Sequence, residues 1–200
     1  MIAKITQMLF YFPCRLFFKI FLGLEIRGAE RVMSIPKPLL IIANHRTLLD
    51  SWLIGASLPF RSEFFPVRYV GGSKFKQPLQ TLYSLGIITL IYRFFGAITI
   101  PSDAVSLEEK IQPIVAALNQ GKVVLIFPEG RRHYDELGEF KKGAAEIYLR
   151  TKSLVLPIAL KKRPYKIIVS IGEPMTLEAT TTGAITQHFR DFVDKLFQEI

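Results

Sequence analysis

A chain of 200 residues suffices for one domain with its own core, and the single cysteine, Cys14, excludes an internal disulfide framework and fits a reducing compartment. Half of the residues are hydrophobic and the mean hydropathy is +0.28, which excludes a disordered chain and is high for a water-soluble enzyme. The formal charge of +9 favours an anionic partner, whether nucleic acid, an acidic membrane surface or a phosphorylated small molecule, and charge does not choose among them.

The N-terminal stretch "MIAKITQMLFYFPCRLFFKIFLGLEIRG" separates those readings better. Its uncharged run from Ile5 to Cys14 is ten residues long, short of the ~20 apolar residues a spanning helix needs. Only Lys4 precedes that run and no small-residue cleavage site comes after it, which argues against a signal peptide. On a helix, Lys4, Arg15 and Lys19 share an arc of about 60°, with Phe, Leu, Ile and Met covering most of the remainder. Residues 1–25 are therefore expected to form an amphipathic segment lying in a membrane interface, broken into two short helices by Pro13. The alternative is an apolar arm packed on the domain's own core.

Residues 26–200 alternate strand-like and helix-like patterns without repeats or long linkers, which predicts a single α/β domain with a mostly parallel central sheet flanked by helices. In chain order the expected strands are 39–43, 65–70, 97–100, 122–127, 154–160 and 165–171, short apolar runs suited to a sheet buried on both faces. Between the second and third of these, "GGSKFK" (71–76) lacks phosphate-loop spacing, so Lys74 and Lys76 are read as loop charges, with a donor phosphate or an acidic carrier surface as the functional alternative. Residues 77–92 carry no charge and form either a helix lining an acyl-chain groove or a buried core helix. A helix from Ser106 to Asn119 has a capping box in Ser106 and Glu109 and a terminating Gly121, with a kink expected at Pro113. "KKRP" (161–164) is a basic turn, and residues 184–200 form a helix whose Ile185, Phe189, Val193 and Leu196 face the sheet.

Ligands of such sheets bind beyond the carboxyl ends of the strands, and two strands here run directly into polar sequence. "LLIIA" leads into "NHRTLLD", with Asn44, His45, Arg46 and Asp50; "VVLIF" leads into "PEGRRH", with Glu129, Gly130, Arg131, Arg132 and His133. Residues five apart on one helix diverge, so His45 and Asp50 meet only if a turn intervenes and the helix starts near Thr47. Asp50 would then orient the imidazole and leave the other ring nitrogen to accept a proton. Capping and backbone hydrogen bonding remain the ordinary alternative for such a pair.

Taken together, "NHRTLLD", "FPEGRRH" and "LVLPIAL" resemble the glycerolipid acyltransferase family typified by the 1-acylglycerol-3-phosphate acyltransferases, over about Leu39 to Pro174. "GEFKKGAAEIY" (138–148) is similar to the segment after that family's third block. The resemblance implies transfer of a fatty acyl group from acyl-CoA or acyl carrier protein to a lysolipid hydroxyl, with His45 as general base, Asp50 as its partner, and Glu129, Gly130 and Arg132 helping to bind the acceptor. The second block departs from the pattern. Pro101 and Ser102 stand where an Arg is expected, and Arg131 replaces a small hydroxyl residue, so Arg131 and Arg132 are expected to supply phosphate contacts instead. 1-Acylglycerol-3-phosphate leads as acceptor, with another lysolipid or an amino-acid lipid next. The implied partners are membrane lipids, the lysolipid and the thioester co-substrate, and the implied location is a peripheral or monotopic position on the cytoplasmic face.

His133 and His188 lack partners at metal-ligand spacing, so neither a metal nor a cofactor is expected. Two other classes stay open: a non-catalytic membrane-associated lipid-binding protein, against which the His45 and Asp50 pair argues, and a nucleic-acid-binding protein. The scattered basic residues carry no recognition motif, so no nucleic acid is expected.

Overall fold

The computed structural model describes all residues except 34, 62, 72–78, 101–105 and 135, and it centres on a seven-stranded sheet. The elements are α1 (Ile2–Leu22), β1 (Glu25–Arg27), β2 (Leu39–Ala43), α2 (Asp50–Ser57), β3 (Val67–Gly71), α3 (Leu79–Ser84), α4 (Ile87–Phe95), β4 (Ile98–Thr99), α5 (Leu107–Asn119), β5 (Val123–Ile126), α6 (Gly143–Thr151), β6 (Leu154–Arg163), β7 (Lys166–Ile171) and α7 (Thr182–Gln198). The strand order is β1-β7-β6-β2-β5-β3-β4. β6, β2, β5, β3 and β4 run parallel, while β7 pairs antiparallel with β6 and carries β1 at the edge. The mostly parallel α/β sheet expected from sequence is therefore present, and its fully buried central strands explain why their sequence is continuously apolar rather than alternating.

Successive residues of those strands feed two cores. Leu40, Ile42, Val124 and Ile126 pack with α5, α6 and α7, whereas Leu39, Ile41, Val123 and Leu125 pack on the side of α1 and α2. β2 and β5 pair in register, Ile42 opposite Ile126, so both strands end level and deliver the next residues of each chain segment side by side. That register is what brings the two polar segments together.

Several expectations change. α1 runs unbroken through Pro13, whose side chain points outward; packing of Tyr11 and Phe18 on either side offsets the ~3 kcal/mol cost of an interior proline. The continuous helix is long and apolar enough to cross a membrane by length and composition, which the ten-residue uncharged run did not suggest. Ala3, Gln7, Tyr11 and Phe18 face the domain, as the arm reading expected, while Leu9, Leu16 and Ile20 face outward. α5 likewise continues through Pro113, with its Ser106–Glu109 capping box formed and Gly121 in the left-handed region at φ 70°. The uncharged stretch 77–92 supplies the short α3 and then α4, which is no buried core helix: only Ile88 is buried, and Ile87, Leu90, Ile91 and Phe94 are exposed. "KKRP" is not itself the turn: Lys161, Lys162 and Arg163 end β6 in register with β7, and Pro164 and Tyr165 make the hairpin turn. Lys74, Lys76, Pro101 and Ser102 lie outside the described residues.

Candidate active site

Immediately after β2, Asn44 is buried and its side chain extends the ladder, donating to Leu160 O at 2.9 Å and accepting from Leu160 N at 2.7 Å. Asn44 therefore fixes the strand end. The chain then makes a turn, and α2 begins at Asp50, three residues later than expected. Buried Asp50 points back into this turn. Its Oδ2 accepts from Arg46 N at 2.5 Å and Thr47 N at 2.8 Å, its Oδ1 from Thr47 Oγ1 at 2.7 Å, and its Oδ2 also meets His45 Nδ1 at 2.8 Å. A carboxylate surrounded by four donors makes Nδ1 the protonated ring nitrogen and leaves Nε2 as the acceptor. The turn between His45 and Asp50 is thus the arrangement a general base and its orienting group require. The amides of Arg46, Thr47 and Leu49 are already engaged, the last with Thr47 Oγ1, so they are not free to hold an oxyanion.

After β5, Phe127 stacks on the His45 ring with centroids 4.2 Å apart and planes 14° apart, closing one face of the imidazole. His133 N donates to His45 O at 2.8 Å, and Arg46, buried beneath, donates to Tyr134 O and lies over the Phe197 ring at 5.2 Å. These contacts lock the two segments to each other. Glu129 is 1% exposed and its Oε2 accepts from His45 N at 3.4 Å. Burial pushes its carboxyl up to about 7, against the pull of the His45 and Gly138 amides and the Arg46 guanidinium. Glu129 lies buried beneath the His45 turn, and its Oε2 ties the two segments together through the His45 amide.

Gly130 requires its glycine: φ is 67°, and a Cβ there would come within 2.9 Å of Lys141 Nζ. Arg131 and Arg132 are exposed beyond it, Arg131 Nε meeting His133 Nε2 at 3.2 Å. A cleft of about 440 Å³ opens beside His45, walled by Phe127, Ile111, Ile114 and Ile147, with Gly130 and Lys141 at its rim. Sequence reasoning missed Lys141, and the signal that could have found it is its place in "GEFKKGAAEIY", a segment that resembles the family.

The Acyltransferase family model matches residues 23–161. Over 162 residues the chain is 30% identical to the chloroplastic 1-acyl-sn-glycerol-3-phosphate acyltransferase of Arabidopsis thaliana, and over 165 residues 28% identical to that of Brassica napus. Both alignments cover 80% of this chain, which spans 40% and 41% of the respective relatives. The 1-acyl-sn-glycerophosphate (LPA) acyltransferase PlsC from Thermotoga maritima shares the fold, with a TM-score of 0.70 at 17% identity over 95% of this chain and 79% of that one. With the family match covering most of the chain, and with the His45 turn inside the matched region, the chain belongs to the Acyltransferase family.

Proposed function

We propose that the protein transfers a fatty acyl group from an acyl thioester, acyl-CoA or acyl carrier protein, to a hydroxyl of a lysolipid, with 1-acylglycerol-3-phosphate as acceptor, in phospholipid synthesis. The observation that carries this reading is the His45 imidazole, oriented by Asp50 at 2.8 Å and set at the mouth of an apolar cleft. His45 Nε2 removes the acceptor's proton as its oxygen attacks the thioester carbonyl. The tetrahedral intermediate then expels the thiolate, which takes the proton back from the imidazolium. No covalent bond to the enzyme forms. Stacking on Phe127 and the bond to Asp50 hold the ring in place, so little reorganisation accompanies the attack.

The acceptor comes from a membrane on which the protein sits peripherally, at the cytoplasmic face, through the outward apolar surface of α1 and α4. Arg131 and Arg132, exposed next to Gly130, hold the acceptor's phosphate in place of the arginine missing from the second block. An acceptor of another headgroup class, a different lysolipid or an amino-acid lipid, is the second reading, favoured by that same missing arginine.

With purified protein in mixed micelles, His45→Ala is expected to lower turnover by ~10²-fold to 10⁴-fold with folding and vesicle binding retained. Full activity in that variant excludes the mechanism. Arg132→Ala is expected to raise KM for the phosphorylated lysolipid by about tenfold, the value of one charge-assisted phosphate contact. An unchanged KM assigns the phosphate elsewhere.

A further inference from the structure

The cleft beside His45 does not end at its apolar walls. A second open cleft, of about 660 Å³, continues from it, and the two share Leu107, Lys141 and Gly143. The second cleft lies between the beginnings of α5, α6 and α7 and changes character: among the described residues Lys141, Lys142 and Arg190 line it against the carboxylate of Glu139, with Thr186 and Gln187 as neutral hydrogen-bonding groups. Among the described residues none of these three cations forms an ion pair, so the cleft keeps an uncompensated positive charge. Both clefts are on the α5–α7 side of the sheet, opposite the exposed apolar residues of α1 and α4.

We propose that this two-part cleft is the binding site for the phosphopantetheine arm of the thioester donor. The inference rests on the acyl-transfer reading and deepens it. The donor must place its carbonyl carbon at His45, and the arm beyond the sulfur is a long chain with two amides and a gem-dimethyl carbon, ending in phosphate. A passage that starts at the general base, is walled mainly by apolar side chains with Lys110 among them, and opens among further cations matches that order of groups. It also separates the traffic of the two substrates: the lipid acceptor arrives from the α1 and α4 side, and the water-soluble carrier arrives from the opposite side, so neither must leave before the other binds. Lys141, shared by the clefts and packed on Gly130, stands at the junction between them.

Lys142 and Arg190 are both exposed and carry no ion pair among the described residues, so reversing their charge leaves the fold undisturbed. The test is titration calorimetry of free coenzyme A against the wild type and against the double variant Lys142→Glu, Arg190→Glu, together with steady-state kinetics using acyl-CoA and acyl carrier protein bearing the same acyl group. Loss of two charge-assisted phosphate contacts is expected to weaken coenzyme A binding by at least about tenfold and to raise the donor's KM in parallel, while KM for the lysolipid stays constant. A rise confined to acyl-CoA assigns the cations to the nucleotide phosphates, and a rise with both donors assigns them to the phosphate of the shared arm. Unchanged coenzyme A binding together with unchanged KM for both donors overturns the proposal, as does a rise in the lysolipid's KM alone. If the wild type acylates no lysolipid yet binds coenzyme A through these residues, the cleft assignment stands and the acceptor assignment falls.

Discussion

At the scale of single residues, Glu129 carries the most informative strain. Its carboxyl is enclosed, with Oε1 lacking any hydrogen-bond partner among the described residues, and burial raises it from 4.5 to about 7. Below the unfolded value both states are protonated and the group is neutral in stability. Between 4.5 and about 7 the unfolded chain ionises while the folded one does not, so stability falls as pH rises, by up to about 3 kcal/mol, and then levels off. Urea melts in detergent are expected to show this loss for the wild type, and Glu129→Gln is expected to abolish the slope over that interval; an identical slope in the variant assigns it to other groups. The sequence made the pairing of His45 with Asp50 legible because a fixed spacing next to a buried strand constrains where both side chains point. It did not reveal that Glu129 is a buried tie, because nothing in "FPEGRRH" distinguishes a carboxylate that faces substrate from one that faces the backbone of the facing segment.

At the scale of elements, one polar side chain decides how α1 sits. Gln7 donates from Nε2 to Val67 O at 2.8 Å and to Phe95 O at 2.7 Å, and its Oε1 accepts from Val67 N at 2.9 Å. It thereby serves the start of β3 and the end of α4 at once, while Tyr11 donates to Leu58 O at 2.7 Å one turn further on. Gln7→Ala leaves these buried backbone groups of β3 and α4 without partners, at about 1–3 kcal/mol for each unsatisfied group. The expected result is faster proteolytic release of α1 with the remaining domain intact, and a variant as resistant as the wild type shows that the apolar contacts alone hold the helix. The six expected strands were all legible, since their apolar runs are too short for helices. The three-residue edge strand β1 was not, because a strand of that length has no period to read. The unbroken course of α1 was hidden for a different reason. Proline's local cost is visible in sequence, whereas the tertiary packing that offsets it is not. Gln7 did leave a trace, as a polar residue on the same spacing as Ala3 and Tyr11.

At the scale of the whole molecule, the two sides of the sheet present different chemistry to their surroundings. On the α1 side, Leu9, Leu16 and Ile20 of α1 lie outward, and α4, joined to it through Gln7 and by the Phe10–Phe95 ring contact at 5.6 Å, adds Leu90, Ile91 and Phe94. An apolar surface continuous over two helices and left open in a folded domain is the mark of a membrane or protein contact. Lys4, Arg15 and Lys19 do not crown this surface as a simple amphipathic wheel suggested; they lie on the flank between the buried and outward faces, where headgroups would be if the outward face sank into the acyl boundary. A helix that spanned the bilayer would have to expose Gln7 and Tyr11 to lipid and break their bonds to β3, α4 and the end of α2, so the interfacial placement costs less. Leu9→Asp combined with Leu90→Asp removes two outward apolar contacts, each worth about 1.5–3 kcal/mol when fully buried, and is expected to reduce sedimentation with anionic vesicles by more than about tenfold while leaving coenzyme A binding on the opposite face unchanged. Wild-type sedimentation in that variant would place the membrane contact on another surface, and the sidedness of the two substrates would have to be drawn again from there.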